Sequence, residues 1–218
     1  MQPRQSDGVA TGRSPDRKTL AGVIGSLVGA ALLFAFVPKE ESGRTVSATV
    51  NADQSVTVKH VAGARHLQAY LDIVGVPTAC DGVTKGVKVG QVFTAAQCDA
   101  MNEAELIAHA EPIMRCAPPL RGRGPQAAAV VSLAYNMGTN AICGSTLVRK
   151  INAGDWRGAA DAFGAWNKVT VPAVQVAAYR RRGETCAPKV SGGWSCTSKG
   201  LTARRQRERT LFLQDLPQ

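Results

Sequence analysis

Aromatic residues are scarce, at 5% of the 218 residues, which argues against a function built on stacked bases. Acids are the minority charge: 16 Asp and Glu stand against 26 Lys and Arg, for a formal net charge of +10. No C-x-x-C pair occurs and the three histidines lack metal-ligand spacing, so no zinc site and no other metal is expected. Long apolar runs are absent but for one, which excludes a polytopic membrane protein. No internal repeat is visible. With 44% apolar residues, the chain has an ordinary globular composition rather than that of a disordered one. Its length suits one domain of about 150–200 residues plus an appendage.

The single apolar run is Leu20 to Val37, 18 uncharged residues, just long enough to span a bilayer. Arg13, Arg17 and Lys18 precede it. The positive-inside rule then keeps the N-terminus in the cytoplasm and sends the rest across the membrane. Gly22, Gly25, Ser26, Gly29, Ala30 and Ala31 dilute the run, so its hold on lipid is marginal. An uncleaved signal-anchor is the expectation. A cleaved signal peptide is the first alternative, but Val46-Ser47-Ala48 lies too far on to be its cleavage site. A buried core helix is the second. Residues 1–18 then form a cytoplasmic tail, 19–37 the anchor, 38–55 a linker and 56–218 the folded domain.

Six cysteines all follow the apolar run, as expected of disulfides formed after export. They allow fifteen pairings. Cys186 and Cys196, close together in a Gly/Pro/Ser-rich segment, are expected to pair; buried thiols are the alternative. Val56–Tyr70 is assigned to a first helix. Leu71–Thr84, rich in Val, Ile, Thr and Gly with Pro77 inside, suggests short strands and turns. Thr94 and Gln97 form a capping box for a helix ending before Pro118. Pro125 opens a buried central helix ending at Gly138. Thr146–Ala153 is a short helix closed by Gly154, and Asp155 caps the next. Trp156, Phe163 and Trp166 are expected in the core. Residues 168–200 are too irregular for one helix and are expected to be an inserted, cysteine-containing loop or hairpin. Leu201–Leu213 is a final basic helix. The fold class is α+β, mostly helical.

The stretch Leu67-x-Ala69-Tyr70-x-Asp72-x-x-Gly75-x-x-Thr78, then Cys80-x-Gly82-x-Thr84, resembles the active-site strand region of the phage-type lysozymes. Ser132–Gly138, Gly144–Asp155, Ala159–Phe163, Trp166–Lys168 and Gly200–Arg209 resemble that family's later segments in order. The resemblance covers about residues 60–214. It implies a lysozyme-like fold with a small β-region at the active site. It also implies an endolysin-type muramidase that hydrolyses the β-1,4 bond between N-acetylmuramic acid and N-acetylglucosamine in peptidoglycan. The family uses a Glu as general acid, an Asp that places or activates water, and a Thr that holds that water. The Asp carries over to Asp72 and the Thr to Thr78. Glycoside hydrolysis commonly needs two carboxyls, one to donate a proton and one to stay ionised.

The family's Glu stands nine residues before its Asp. That position is Gly63, or Ala62 after a one-residue slip, and Ser55–Leu71 contains no acid. The family's frequent His is Val83 here. Three explanations follow. Another group supplies the proton, with His60 and His66 as candidate substitute acids and Glu40 and Glu41 on the linker as further ones. Or the protein is a catalytically impaired peptidoglycan-binding or regulatory relative. Or Asp72 and Thr78 suffice for slow hydrolysis. Asp72 has a bland alternative as a turn cap before Gly75. The resemblance makes Asn136 and Thr139 candidate sugar contacts; helix termination at Gly138 is their bland alternative.

Between Tyr179 and Arg209 stand Arg180, Arg181, Arg182, Lys189, Lys199, Arg204, Arg205, Arg207 and Arg209, against Glu184 and Glu208. In an exported protein such a face suits anionic cell-wall polymers or lipid headgroups, not nucleic acid; a solvated face is the alternative. The expectation is a monomer without cofactor, held to the membrane by residues 20–37 with its domain in the periplasm, or released there. Its partner is peptidoglycan in the host cell of a phage or prophage.

Overall fold

In the computed structural model of the protein, which describes residues 18–53, 55–72 and 75–216, the apolar run divides into two helices, α1 (Leu20–Ile24) and α2 (Leu27–Ser42). The break has local causes. Gly25 ends α1 with a left-handed φ of 74°. Ser26 then caps α2, its hydroxyl accepting from the Gly29 N–H at 3.1 Å. Among the described residues, no helix is long and apolar enough to cross a membrane. Leu20, Ile24, Ala30, Leu33 and Val37 instead join the main core. In this state the run follows the buried-core alternative. The expected tail, apart from Lys18, lies outside the described residues.

Residues 38–55 and 56–70 differ from expectation. The former are no linker: α2 runs through Pro38 to Ser42, and strand β1 (Thr45–Val50) follows. The latter hold no helix: Val56–Ala62 is strand β2, antiparallel to β1 from Val50↔Val56 to Thr45↔Ala62. The cause is the alternation Val-Thr-Val-Lys-His-Val. Val56, Val58 and His60 are half-buried while Thr57, Lys59 and Val61 face solvent, a period of two that a helix cannot satisfy. The Asn51 amide donates to Ser55 Oγ at 2.8 Å and Thr57 Oγ1 at 2.7 Å, closing the hairpin. The described folded body therefore includes residues from Leu20 onward rather than starting at Val56.

A second small hairpin, β3 (Tyr70–Leu71) and β4 (Pro77–Thr78), leads to helix α3 (Ala95–Cys116), whose Thr94–Gln97 capping box is formed. Helix α4 (Gly124–Met137) is the central one, buried from Gly124 to Ala134. Helices α5 (Thr139–Cys143), α6 (Thr146–Asn152) and α7 (Trp156–Ala162) follow, α5 packing on α4 and α6 on α7. Asp155 caps α7, accepting from the Gly158 N–H at 2.8 Å. Phe163 is fully buried, and Trp156 and Trp166 pack against the same core.

The insertion at 168–200 is more ordered than a loop. Strand β5 (Lys168–Val171), helix α8 (Ala173–Arg181), and strands β6 (Cys186–Pro188) and β7 (Trp194–Thr197) build a three-stranded sheet in the order β5-β7-β6. Val171, Val176 and Cys196 form its own small core. Helix α9 (Lys199–Phe212) returns to pack on α4. The fold is α+β with a helical majority, as expected. Three disulfides join Cys80 to Cys98, Cys116 to Cys143, and Cys186 to Cys196, the last being the expected local pair.

Candidate active site

The β3–β4 hairpin carries two of the expected site residues. Asp72 sits at its turn, where its Oδ1 accepts from the Val76 N–H at 2.8 Å and its backbone carbonyl accepts from the Gly75 N–H at 3.0 Å. The turn-capping role is therefore real, and it fixes the direction of the carboxyl. Thr78 lies on the returning strand opposite Tyr70. It is 5% exposed, and its hydroxyl donates to the Val76 carbonyl at 3.0 Å.

An acid from far away in the chain also reaches the loop after Thr78. Glu41 is the penultimate residue of α2, and 22% of its side chain is exposed. A Cβ built on Gly82 would lie 3.8 Å from the Glu41 Cβ, so the acid rests against the loop that follows Thr78. On its other side Arg204 Nη2 of α9 approaches Glu41 Oε1 to 2.8 Å. That nitrogen lacks hydrogen-bond alignment, so the contact is an ion pair rather than a directed bond. Glu40 is turned elsewhere, held by Arg207 in a two-pronged pair of 2.7 and 2.8 Å. Tyr135 of α4 borders the same place. Burial pushes its phenol well above the usual range, and the charges of Glu41, Glu105 and Asp81 add to the effect, so the hydroxyl stays protonated.

The β1–β2 hairpin lies between Glu41 and Asp72 in the chain. Gly63, where the nine-residue offset points, closes that hairpin. Its φ is 90°, and a Cβ there would lie 2.9 Å from the Arg44 Cα. Glycine is needed at this position for geometry, so its lack of a carboxyl says nothing about lost chemistry. One signal in the sequence pointed to strand β2: the alternation in 56–61.

His60 is on β2, with Nδ1 buried and without a hydrogen-bond partner among the described residues. His66 precedes β3 with a φ of 45°, its ring 5.2 Å from that of Tyr70. Asn136 and Thr139 flank Gly138 at the junction of α4 and α5, and Asn136 Oδ1 is buried without a hydrogen-bond partner among the described residues. Part of the expected basic face is used internally, while Arg180, Arg181, Arg182, Lys189 and Lys199 stay exposed. Arg204 and Arg205 are buried around Glu208, Arg207 pairs with Glu40, and Arg209 pairs with Asp161 at 2.8 Å.

Comparison with known proteins gives a consistent picture. The family model described as phage lysozyme matches residues 59–184. The SAR-endolysin of Enterobacteria phage P21 is 41% identical over 101 residues, which cover 44% of this chain and 59% of that protein. The endolysin of Acyrthosiphon pisum secondary endosymbiont phage 1 is 30% identical over 157 residues, covering 72% of this chain and 92% of its own. Among solved structures, an endolysin from Escherichia coli O157:H7 phage FAHEc1 superimposes with a TM-score of 0.59 at 25% identity, covering 86% of this chain and 94% of that one. The family match begins after Glu41, within strand β2. With the match spanning more than half of the chain, and the hairpin, central helix and terminal helix in the expected order, the protein belongs to the phage lysozyme family.

Proposed function

We propose that the protein is an endolysin-type muramidase cleaving the β-1,4 bond between N-acetylmuramic acid and N-acetylglucosamine in peptidoglycan, for lysis of a bacterial host. Glu41 is the general acid that protonates the leaving oxygen. Asp72 and Thr78 place the attacking water, and Asn136 and Thr139 contact the sugars. The observation that supports this reading is the seat of Glu41 between Arg204 and the loop after Thr78. It favours Glu41 over His60 and His66, and it removes the reason to infer an impaired relative, since that reading rested on Gly63. The test is digestion of purified peptidoglycan with mass analysis of the fragments. New reducing ends on N-acetylmuramic acid are expected; intact glycan strands would reject the assignment.

Residues 20–37 serve as a signal-anchor before this fold is reached. The run's glycine- and alanine-rich character and the name SAR-endolysin carried by relatives support this. Membrane residence and the core packing of α1 and α2 use the same side chains, so they exclude each other. Fractionation of expressing cells before and after collapse of the membrane potential tests the idea. Passage from membrane to periplasm with residues 1–37 retained is expected; a protein soluble throughout and lacking them would contradict it.

A further inference from the structure

A buried ionic network joins the two sides of the site, and the proposed proton and water steps use none of it. Asp81 and Arg44 are 2% and 3% exposed. Asp81 Oδ1 accepts from Ser42 Oγ at 2.8 Å and from Arg44 Nε at 2.9 Å. Its Oδ2 accepts from the Asn102 amide of α3 at 2.5 Å, from Arg44 Nε at 2.9 Å, and from Arg44 Nη2. Arg44 Nη2 also lies 3.6 Å from Asp99 Oδ1. Every donor that Asp81 meets here is matched to a lone pair, the condition under which a buried charge is held in one place.

The positions in the chain give the network its meaning. Ser42 and Arg44 follow Glu41 by one and three residues. Asp81 stands between Cys80, bonded to Cys98, and Gly82, the residue against which Glu41 rests. The acid therefore sits where two anchored segments meet. One is the end of α2, and the other is the loop leaving Thr78. Stability alone is a poor reason for such a network, since buried ion pairs are often replaceable by apolar groups without loss. Fixed geometry is a better one, because displacing a reacting group by about 1 Å can cost on the order of 100-fold in rate.

We propose that Arg44 and Asp81 are positioning residues for the hydrolytic reaction: their buried pair sets the separation between the Glu41 carboxyl and the Thr78 loop. The proposal rests on the reading of Glu41 as the acid, and the experiment separates the two. Steady-state release of reducing ends from solubilised peptidoglycan is measured with the full chain and with Asp81→Asn, Arg44→Gln, Arg44→Lys, Ser42→Ala and Glu41→Gln. Ile151→Val, in the core at α6, controls for lost stability. Asp81→Asn and Arg44→Gln are expected to lower kcat by about 10- to 100-fold with KM within about twofold of wild type. Arg44→Lys, which keeps the charge but not the fork, falls between them and wild type. Ser42→Ala leaves the ion pair in place and is expected to fold; a kcat drop of about three- to tenfold is predicted for it. An unchanged kcat in Ser42→Ala and in whichever pair variants fold, with only the melting temperature lowered, overturns the positioning role. If Glu41→Gln is as active as wild type, or wild type is inactive, the underlying reading falls and the proposal falls with it.

Discussion

Asp155 shows how one exposed side chain titrates into the fold. Its hydrogen bond from Lys150 and that from the Gly158 N–H hold its carboxyl below the ordinary value of 3.8. A depressed carboxylate contributes stability above its unfolded pKa and loses it as pH falls through the folded one. The melting temperature of wild type should therefore exceed that of Asp155→Asn at pH 7, and the gap should shrink below about pH 4. A gap independent of pH would contradict this. Gly63 carries a second prediction at this scale. Installing an acid by Gly63→Glu forces a side chain into a φ of 90° and against the Arg44 backbone. It should destabilise the fold by about 1–3 kcal/mol and give no gain in lytic rate. A faster Gly63→Glu enzyme would show that the acid belongs there after all.

At the scale of elements, what was legible in the sequence depended on distance along the chain. The strand-and-turn region around Asp72 and Thr78 was readable because one hairpin holds both, and the caps at Thr94 and Asp155 because capping is local. The central helix announced itself by its unbroken apolar face. The proposed role of Glu41 was not legible, because the β1–β2 hairpin separates it from Asp72 in the chain and the alternating valines of β2 read as the start of a helix. The apolar run misled differently: Gly25 and Ser26 break it, and hydropathy alone does not register caps. The weakest-looking residues of that run have a packing role. A Cβ on Gly29 would lie 3.0 Å from the Gly124 Cα, where α2 crosses α4. Gly29→Val should thus cost about 1–3 kcal/mol in the folded state by overpacking, while making residues 20–37 a firmer membrane segment. Thermal denaturation together with the membrane-bound fraction measures both; a variant of wild-type stability would contradict the close crossing.

For the whole molecule, the net charge of +10 and the apolar run have changed meaning. Of the α9 arginines that looked like a surface for anionic polymers, Arg204 and Arg205 turn inward. Arg207 and Arg204 tie α9 to Glu40 and Glu41 at the end of α2, and Glu208, ringed by Arg204 and Arg205, accepts from Ser132 of α4. The run that looked like an anchor is, in this fold, part of the helix that carries Glu41. If Glu41 is the acid, as proposed above, docking of α1 and α2 into the core and assembly of the site are one event. The turnover of Glu41→Gln on purified peptidoglycan, set beside His60→Gln and His66→Gln, tests this most directly. The account predicts a loss of about 10²- to 10⁴-fold for Glu41→Gln, with its melting temperature near that of wild type and both histidine variants close to full rate. Full activity in Glu41→Gln, with the loss falling on His60→Gln or His66→Gln, would contradict it.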